Sequence, residues 1–170
     1  MKILIIQDFL PVGRQEANVL TAAGHEVTLV VGIKDVENLV GWFPDKTSKP
    51  LDTDYDVAIV DGQFYGPSGK LEDLGAPVVE RLVKAGVKCI ANSSKDPFNT
   101  KMVEAGAFRA SNQLVLYVLL VVAKLVTGDD LVTPSADTQA LIEMDAMKFI
   151  QGPGKDYREA ADKALMDDAA

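Results

Sequence analysis

The sequence predicts an α/β domain built on a doubly wound parallel sheet of five strands and followed by a helical C-terminal extension. Three observations carry this reading. Short apolar runs alternate with helical patterns through the first three quarters of the chain. The runs are continuously apolar, as in strands covered on both faces. Two of them end in acids: "KILIIQD" in Gln7 and Asp8, and "YDVAIVD" in Asp61. If these runs are parallel neighbours, Asp8 and Asp61 meet at one edge of the sheet.

"KILII" is the first strand. "GRQEANVLTAAGH" reads as a helix with Ala17, Leu20 and Ala23 along one side and Gly24 as its stop. "HEVTLVVG" is the second strand, "DVENLVGWF" a short helix, and "PDKTSKPLDTD" a loop rich in turn formers. "YDVAIVD" is the third strand. "GAPVVERLVKAG" is a helix with Pro77 in its first turn and Gly86 at its end. "VKCIAN" is the fourth strand. "DPFNTKMVEAG" is a helix with Asp96 as N-cap and Pro97 at the first helical position. "AFRAS" is a weaker fifth strand and "NQLVLYVLLVVAKLVTG" a strongly apolar fifth helix. Beyond it, "SADTQALIEMDAMKFI" and the polar, alanine-rich "KDYREAADKALMDDAA" read as helices separated by "QGPG". The expected division is residues 1–127 for the α/β domain and 128–170 for the extension, which is either a further helical layer or a partner-binding arm.

At 170 residues the chain is long enough to bury a core. Its 25 acidic against 17 basic residues give a net charge of −8, which disfavours nucleic acid and anionic lipid surfaces. A lone cysteine, Cys89, allows no intrachain disulfide and suits a reducing compartment. The longest apolar run, residues 114–126, contains Lys124 and is shorter than the roughly 20 residues a membrane span requires. The apolar run at the N-terminus is too short for a secretory leader and meets an acid where it should continue. A cytoplasmic protein is expected.

Ligands of an open parallel sheet bind beyond the carboxyl ends of its strands. The residues expected there are Gln7, Asp8 and Phe9; Asp61, Gly62 and Gln63; Asn92, Ser93 and Ser94; and Ser111, Asn112 and Gln113. Carboxylates among amides and hydroxyls suit a hard cation such as Mg²⁺. Together "KILIIQD", "YDVAIVDGQFYGPSG" and "VKCIANSSKDPFNTKMVEAGA" resemble the response-regulator receiver domain over roughly residues 2–126. The resemblance implies a flavodoxin-like, receiver-like fold. It puts Asp61 on the phosphoacceptor, Asp8 on the direct Mg²⁺ ligand of the acid pair, and Gln63 where a backbone carbonyl reaches the ion. Asn92, Ser93 and Ser94 fall on the phosphate or ligand edge. The implied function is signalling through protein contact, with a histidine kinase or output protein as partner and a homodimer as one outcome.

The departures from the pattern point to an atypical or pseudo-receiver. Gln7 replaces the first acid. An ungapped count puts Ala91 at the hydroxyl position, and a small shift uses Ser93 instead. Gln113 stands at the lysine position, with no lysine between Lys101 and Lys124. Phosphoryl transfer depends on positioning and charge neutralisation, so such a site would bind the ion but phosphorylate and switch poorly.

Other readings of the same residues stay open. Asp61 before Gly62 is also a turn former, and the glycines of "GQFYGPSG" suit turns or a phosphate cradle. Trp42 and Phe43 are either satellite core or a contact patch. The apolar stripe of the fifth helix is either core or a dimer face. His25, the only histidine, is expected at the surface, which argues against a histidine triad or zinc site. Cys89 is expected to be buried and inert. No dinucleotide fingerprint, Ser/Thr-rich flavin phosphate loop, Walker A motif or G-x-S-x-G elbow occurs. The rival function is a small-ligand or nucleotide-binding α/β enzyme working at Asp8, Asp61 and the "NSS" loop.

Overall fold

A computed structural model describes residues 1–110 and 135–136. In chain order the elements are β1 (Lys2–Ile6), α1 (Leu10–Ala22), β2 (Glu26–Val30), β3 (Gly32–Asp35), β4 (Val40–Trp42), β5 (Ser48–Pro50), β6 (Val57–Val60), β7 (Phe64–Tyr65), β8 (Leu71–Glu72), α2 (Gly75–Lys84), β9 (Lys88–Ala91), α3 (Asp96–Glu104) and β10 (Arg109–Ala110). The main sheet has the order β10-β9-β6-β1-β2, with every pairing parallel. Strand order reverses at β1 and β6, the switch point where doubly wound sheets open a crevice. The expected five-stranded flavodoxin-like sheet is therefore present. The fifth helix and the C-terminal extension lie outside the described residues, apart from Ser135 and Ala136.

The continuous apolar runs bury both faces. Leu4, Ile6, Ala58, Val60, Cys89 and Ala91 join one core cluster with Val78, Val79 and Leu82 of α2 and Met102 of α3. Ile3, Ile5, Val57, Ile59 and Ile90 alternate with them and are also buried. The first turns of α1 lie on this second face: a Cβ at Gly13 would stand 2.9 Å from Leu29 Cδ1, and Leu29 is in register with Ile5. Cys89 is fully buried, and burial pushes its thiol up to about 12, so it is inert as expected.

The expected helix over "DVENLVGWF" does not form. Residues 32–50 instead make an antiparallel meander, β3-β4-β5, which β7 and β8 extend into a second five-stranded sheet. Local chemistry explains the difference. Both the backbone and the side-chain amide of Asn38 donate to the Asp35 carboxylate, at 3.1 and 2.8 Å, closing a turn. Leu39 then takes a φ of 48°, which no helix contains. Side-chain to backbone bonds of this kind compete directly with helix formation. Ile33, Leu39, Leu51, Tyr55 and Phe64 carry the second sheet into the α2–α3 core. Phe43 packs against that core, and the half-buried Trp42 indole donates to the Gly66 carbonyl at 3.3 Å.

Three smaller expectations also shift. α1 begins at Leu10, with Pro11 in its first turn, and its buried stripe is Gly13, Glu16, Val19 and Leu20, with Ala23 exposed. Lys95 is the N-cap of α3, and Asp96 sits inside the first turn, where its charge favours the helix. His25 is half-buried, its Nδ1 3.1 Å from the N-terminal ammonium. The glycines of "GQFYGPSG" serve turns: Gly69, with φ of 73°, donates to the Gly66 carbonyl between β7 and β8.

Gly32 marks the step from one sheet to the other. A Cβ there would lie 1.9 Å from the Tyr65 backbone oxygen, which cannot swing aside as a side chain would. Gly32→Ala is expected to lower stability by roughly 3 kcal/mol, the upper range for overpacking. Urea unfolding with an unchanged slope and a lowered midpoint checks this.

Candidate functional site

Three backbone hydrogen bonds run one residue past the strands and align the candidate side chains at one edge. Gln7 N–H donates to the Val30 carbonyl at 3.0 Å, Asp61 N–H to Ile6 at 3.1 Å, and Asn92 N–H to Val60 at 2.8 Å. On the far side of β9, Phe108 N–H donates to Cys89 at 3.0 Å. Asp8, Asp61 and Asn92–Ser94 therefore follow the carboxyl ends of β1, β6 and β9. The sequence reading placed them there. Ser111, Asn112 and Gln113 lie outside the described residues.

Asp61 is partly buried. Burial pushes its carboxyl up, the charge of Asp8 adds to this, and the hydrogen bond from the Gly62 N–H (2.5 Å) and the neighbouring Ser93 side chain oppose it. Burial likewise pushes Asp8 up. Two carboxylates repelling each other in a poorly hydrated edge are what a hard cation relieves.

The "NSS" loop has three distinct fates. Ser93 is buried, its side chain lies close enough to Asp61 to hold that carboxyl down, and its hydroxyl accepts from Lys95 N–H at 3.3 Å. It is the hydroxyl residue of the site, whereas Ala91, which the ungapped count selected, belongs to the core. Ser94 is exposed. Asn92 is half-buried and its Nδ2 donates to Glu16 Oε1 at 3.3 Å. Gln63 reaches outward, donating to Asp73 at 2.5 Å and accepting from Lys95 Nζ at 3.3 Å.

Asn99 and Glu16, which sequence reasoning passed over, build this site together with Gly62. Asn99, buried in α3, accepts from Ser93 N–H at 2.9 Å and donates to the Ser93 carbonyl at 2.8 Å, fixing the loop that carries the hydroxyl. Gly62 lets the Asp61 loop pass Phe98: a Cβ there would be 2.5 Å from Phe98 Cβ. Glu16 is 3% exposed, and burial pushes its carboxyl up to about 7, with Asn92 opposing and the charge of Asp61 adding. Asn99 and Glu16 carried no sequence signal, since each reads as an ordinary helix residue.

Among the described residues no group of three His, Cys, Asp or Glu side chains is arranged to hold an ion by itself. A cage of that kind is what Zn²⁺ requires, whereas Mg²⁺ takes one or two carboxylates, a carbonyl and waters. The donor chemistry of this edge fits the second.

No protein-family model matches the sequence, and no curated protein matches it. Solved structures do match by fold. A two-component response regulator from Clostridium difficile shares 12% identity at a TM-score of 0.50, covering 75% of this chain and 99% of that one. An orphan response regulator of H. pylori shares 17% at 0.49, covering 74% and 92%. A response regulator receiver domain protein from Methanospirillum hungatei shares 19% at 0.45, covering 64% and 78%. The fold of residues 1–110 is that of a response-regulator receiver domain, with the β3–β5 meander where the doubly wound pattern expects a helix.

The raised acid on α1 has a consequence for stability. Glu16 holds its proton more tightly folded (about 7) than at its ordinary value of 4.5. Its contribution is fully present below about pH 4.5 and is lost as pH rises through about 7. Stability is expected to fall by up to about 3 kcal/mol between about pH 5 and pH 8, at 1.36 kcal/mol per unit. Glu16→Gln should flatten that slope in urea titrations at the two pH values.

Proposed function

We propose that the protein is an atypical receiver-like signalling domain. Asp8, Asp61 and the Gln63 backbone carbonyl hold a hard divalent cation, Asp61 is the phosphoacceptor, and output runs through contact with a protein partner. The observation that carries this reading is the Asp61 carboxylate itself, sharing an edge with the charge of Asp8 and held down by the neighbouring Ser93 side chain. Acid, acceptor and hydroxyl stand after β1, β6 and β9, the places the receiver pattern gives them.

When bound, the cation neutralises charge on a phosphoryl group and its acceptor. The chain's own residues do the rest. Asp61 supplies the attacking carboxylate oxygen, made less basic by the Gly62 N–H. Ser93, locked by Asn99, positions that carboxylate and is the donor that would meet a phosphoryl oxygen. The charge balance is the weak point. Lys95, in the loop after β9, is exposed and bonded to Gln63. Gln113 holds the lysine position of the pattern by sequence count. A ligand shifts an equilibrium only by its differential affinity for two states, so without that countercharge the coupling of phosphorylation to shape is weak.

Asp8→Ala is expected to abolish Mg²⁺ binding measured by calorimetric titration, and equal affinity in the variant would refute the cation site. Incubation with acetyl phosphate and Mg²⁺ followed by intact mass measurement should show little stable phosphorylation and no change in elution on size exclusion. Efficient labelling that Asp61→Asn removes, with a shift in size, would instead establish a fully working switch.

A further inference from the structure

The receiver pattern asks for two acids after the first strand, and here one of them is Gln7. Its side chain is not offered to a ligand: Gln7 is buried, and its Oε1 accepts the Phe9 N–H at 3.1 Å, at the entry to α1. The edge therefore lacks an acid where the pattern has one. Two turns along α1, the chain buries an acid. Glu16 is 3% exposed, stands in the stripe otherwise formed by Gly13, Val19 and Leu20, and feels the charge of Asp61. Its Oε1 accepts from Asn92 of the β9–α3 loop. Its Oε2 is buried and has no hydrogen-bond partner. Buried carboxylate oxygens left unpaired are strongly unfavourable, and each such atom in a native fold calls for an explanation such as an ion or water.

We propose that Glu16 is the displaced third acid of the cation site, its Oε2 accepting a hydrogen bond from a water of the ion held at Asp8 and Asp61. Among the described residues no three acids are set to ligate one ion directly, and an outer role requires no such set. Mg²⁺ keeps several of its waters, and those waters are donors that need acceptors. An acid on α1 also ties the ion to Asn92, so that α1, β6 and the β9–α3 loop answer to one charge. Glu16 is a positioning residue in this account, acting through the water and not on the phosphoryl group.

The inference rests on the cation reading above, and one experiment separates the two. Mg²⁺ and Mn²⁺ are titrated calorimetrically into the full chain as wild type, Glu16→Gln and Asp8→Ala, with melting in EDTA as the fold control. Gln retains an oxygen for the Asn92 amide and loses the second carboxylate oxygen, so the variant isolates Oε2. The expected result is a roughly tenfold loss of affinity in Glu16→Gln, the low end for residues that hold a metal's outer ligands, with a melting temperature in EDTA equal to or above wild type. Affinity within twofold of wild type overturns the role of Glu16 and leaves the cation site standing. No binding by wild type overturns the cation reading and this inference with it. Should Glu16→Gln fail to fold, Glu16→Asp serves instead: its retracted carboxylate should weaken binding at least threefold, and unchanged affinity overturns the proposal.

Discussion

Like charges held together away from water set the terms for the rest of this molecule. Asp8, Asp61 and Glu16 are each raised by burial, and Asp61 is raised further by Asp8 and Glu16 by Asp61. Charge crowding of this kind opposes folding unless the surroundings are rigid enough to hold it. The rigidity comes from the flanking ladders and from a loop with its hydrogen bonds completed. Asn99 closes both backbone groups of Ser93, and the Gly75 N–H donates to the Gly62 carbonyl at 3.1 Å, docking the start of α2 beneath the Asp61 loop. The apolar strands behind them give the edge no room to relax.

That arrangement explains which parts of the site were legible in the sequence. Asp8 and Asp61 interrupt apolar runs, and an acid at the end of a buried strand has few structural uses. Ser93 was half legible: the loop was recognisable, but a count without gaps chose Ala91, because strand ends do not keep strict register between distant sequences. Glu16 was illegible. A glutamate in a helix between Gln15 and Ala17 reads as solvent-facing, and the apolar stripe was drawn through Ala17, Leu20 and Ala23, of which only Leu20 belongs to the buried one. Asn99 was hidden for the same reason, since nothing local marks a mid-helix amide as the lock for a loop six residues earlier.

The fold was legible at the level of the parallel sheet and not in the connection from β2 to β6. Buried parallel strands announce themselves by continuous apolar runs, and the glycines after α1, α2 and α3 mark helix ends plainly. Residues 35–43 carry apolar positions at spacings compatible with a helix. What decided against a helix was the Asp35–Asn38 turn, together with two glycines, Gly32 and Gly41, placed where the sheets approach closely. Both belong to turn and packing chemistry, which periodicity does not report.

The meander also brings open strand margins that a helix in the same place would not have. Among the described residues β5 forms one margin of the second sheet and β8 the other. Unpaired margins invite a second chain to add itself, and proteins blunt them with short strands, charge and proline. β5 has three residues, ends in Pro50, and carries Lys49, whose ammonium covers the Phe43 ring at 4.8 Å. β8 has two residues, Leu71 and Glu72, with Glu72 held by Ser68. The substitution of strands for a helix thus comes with its own protection against self-association, which leaves the aggregation behaviour of the second sheet to a single lysine, a proline and the brevity of two strands.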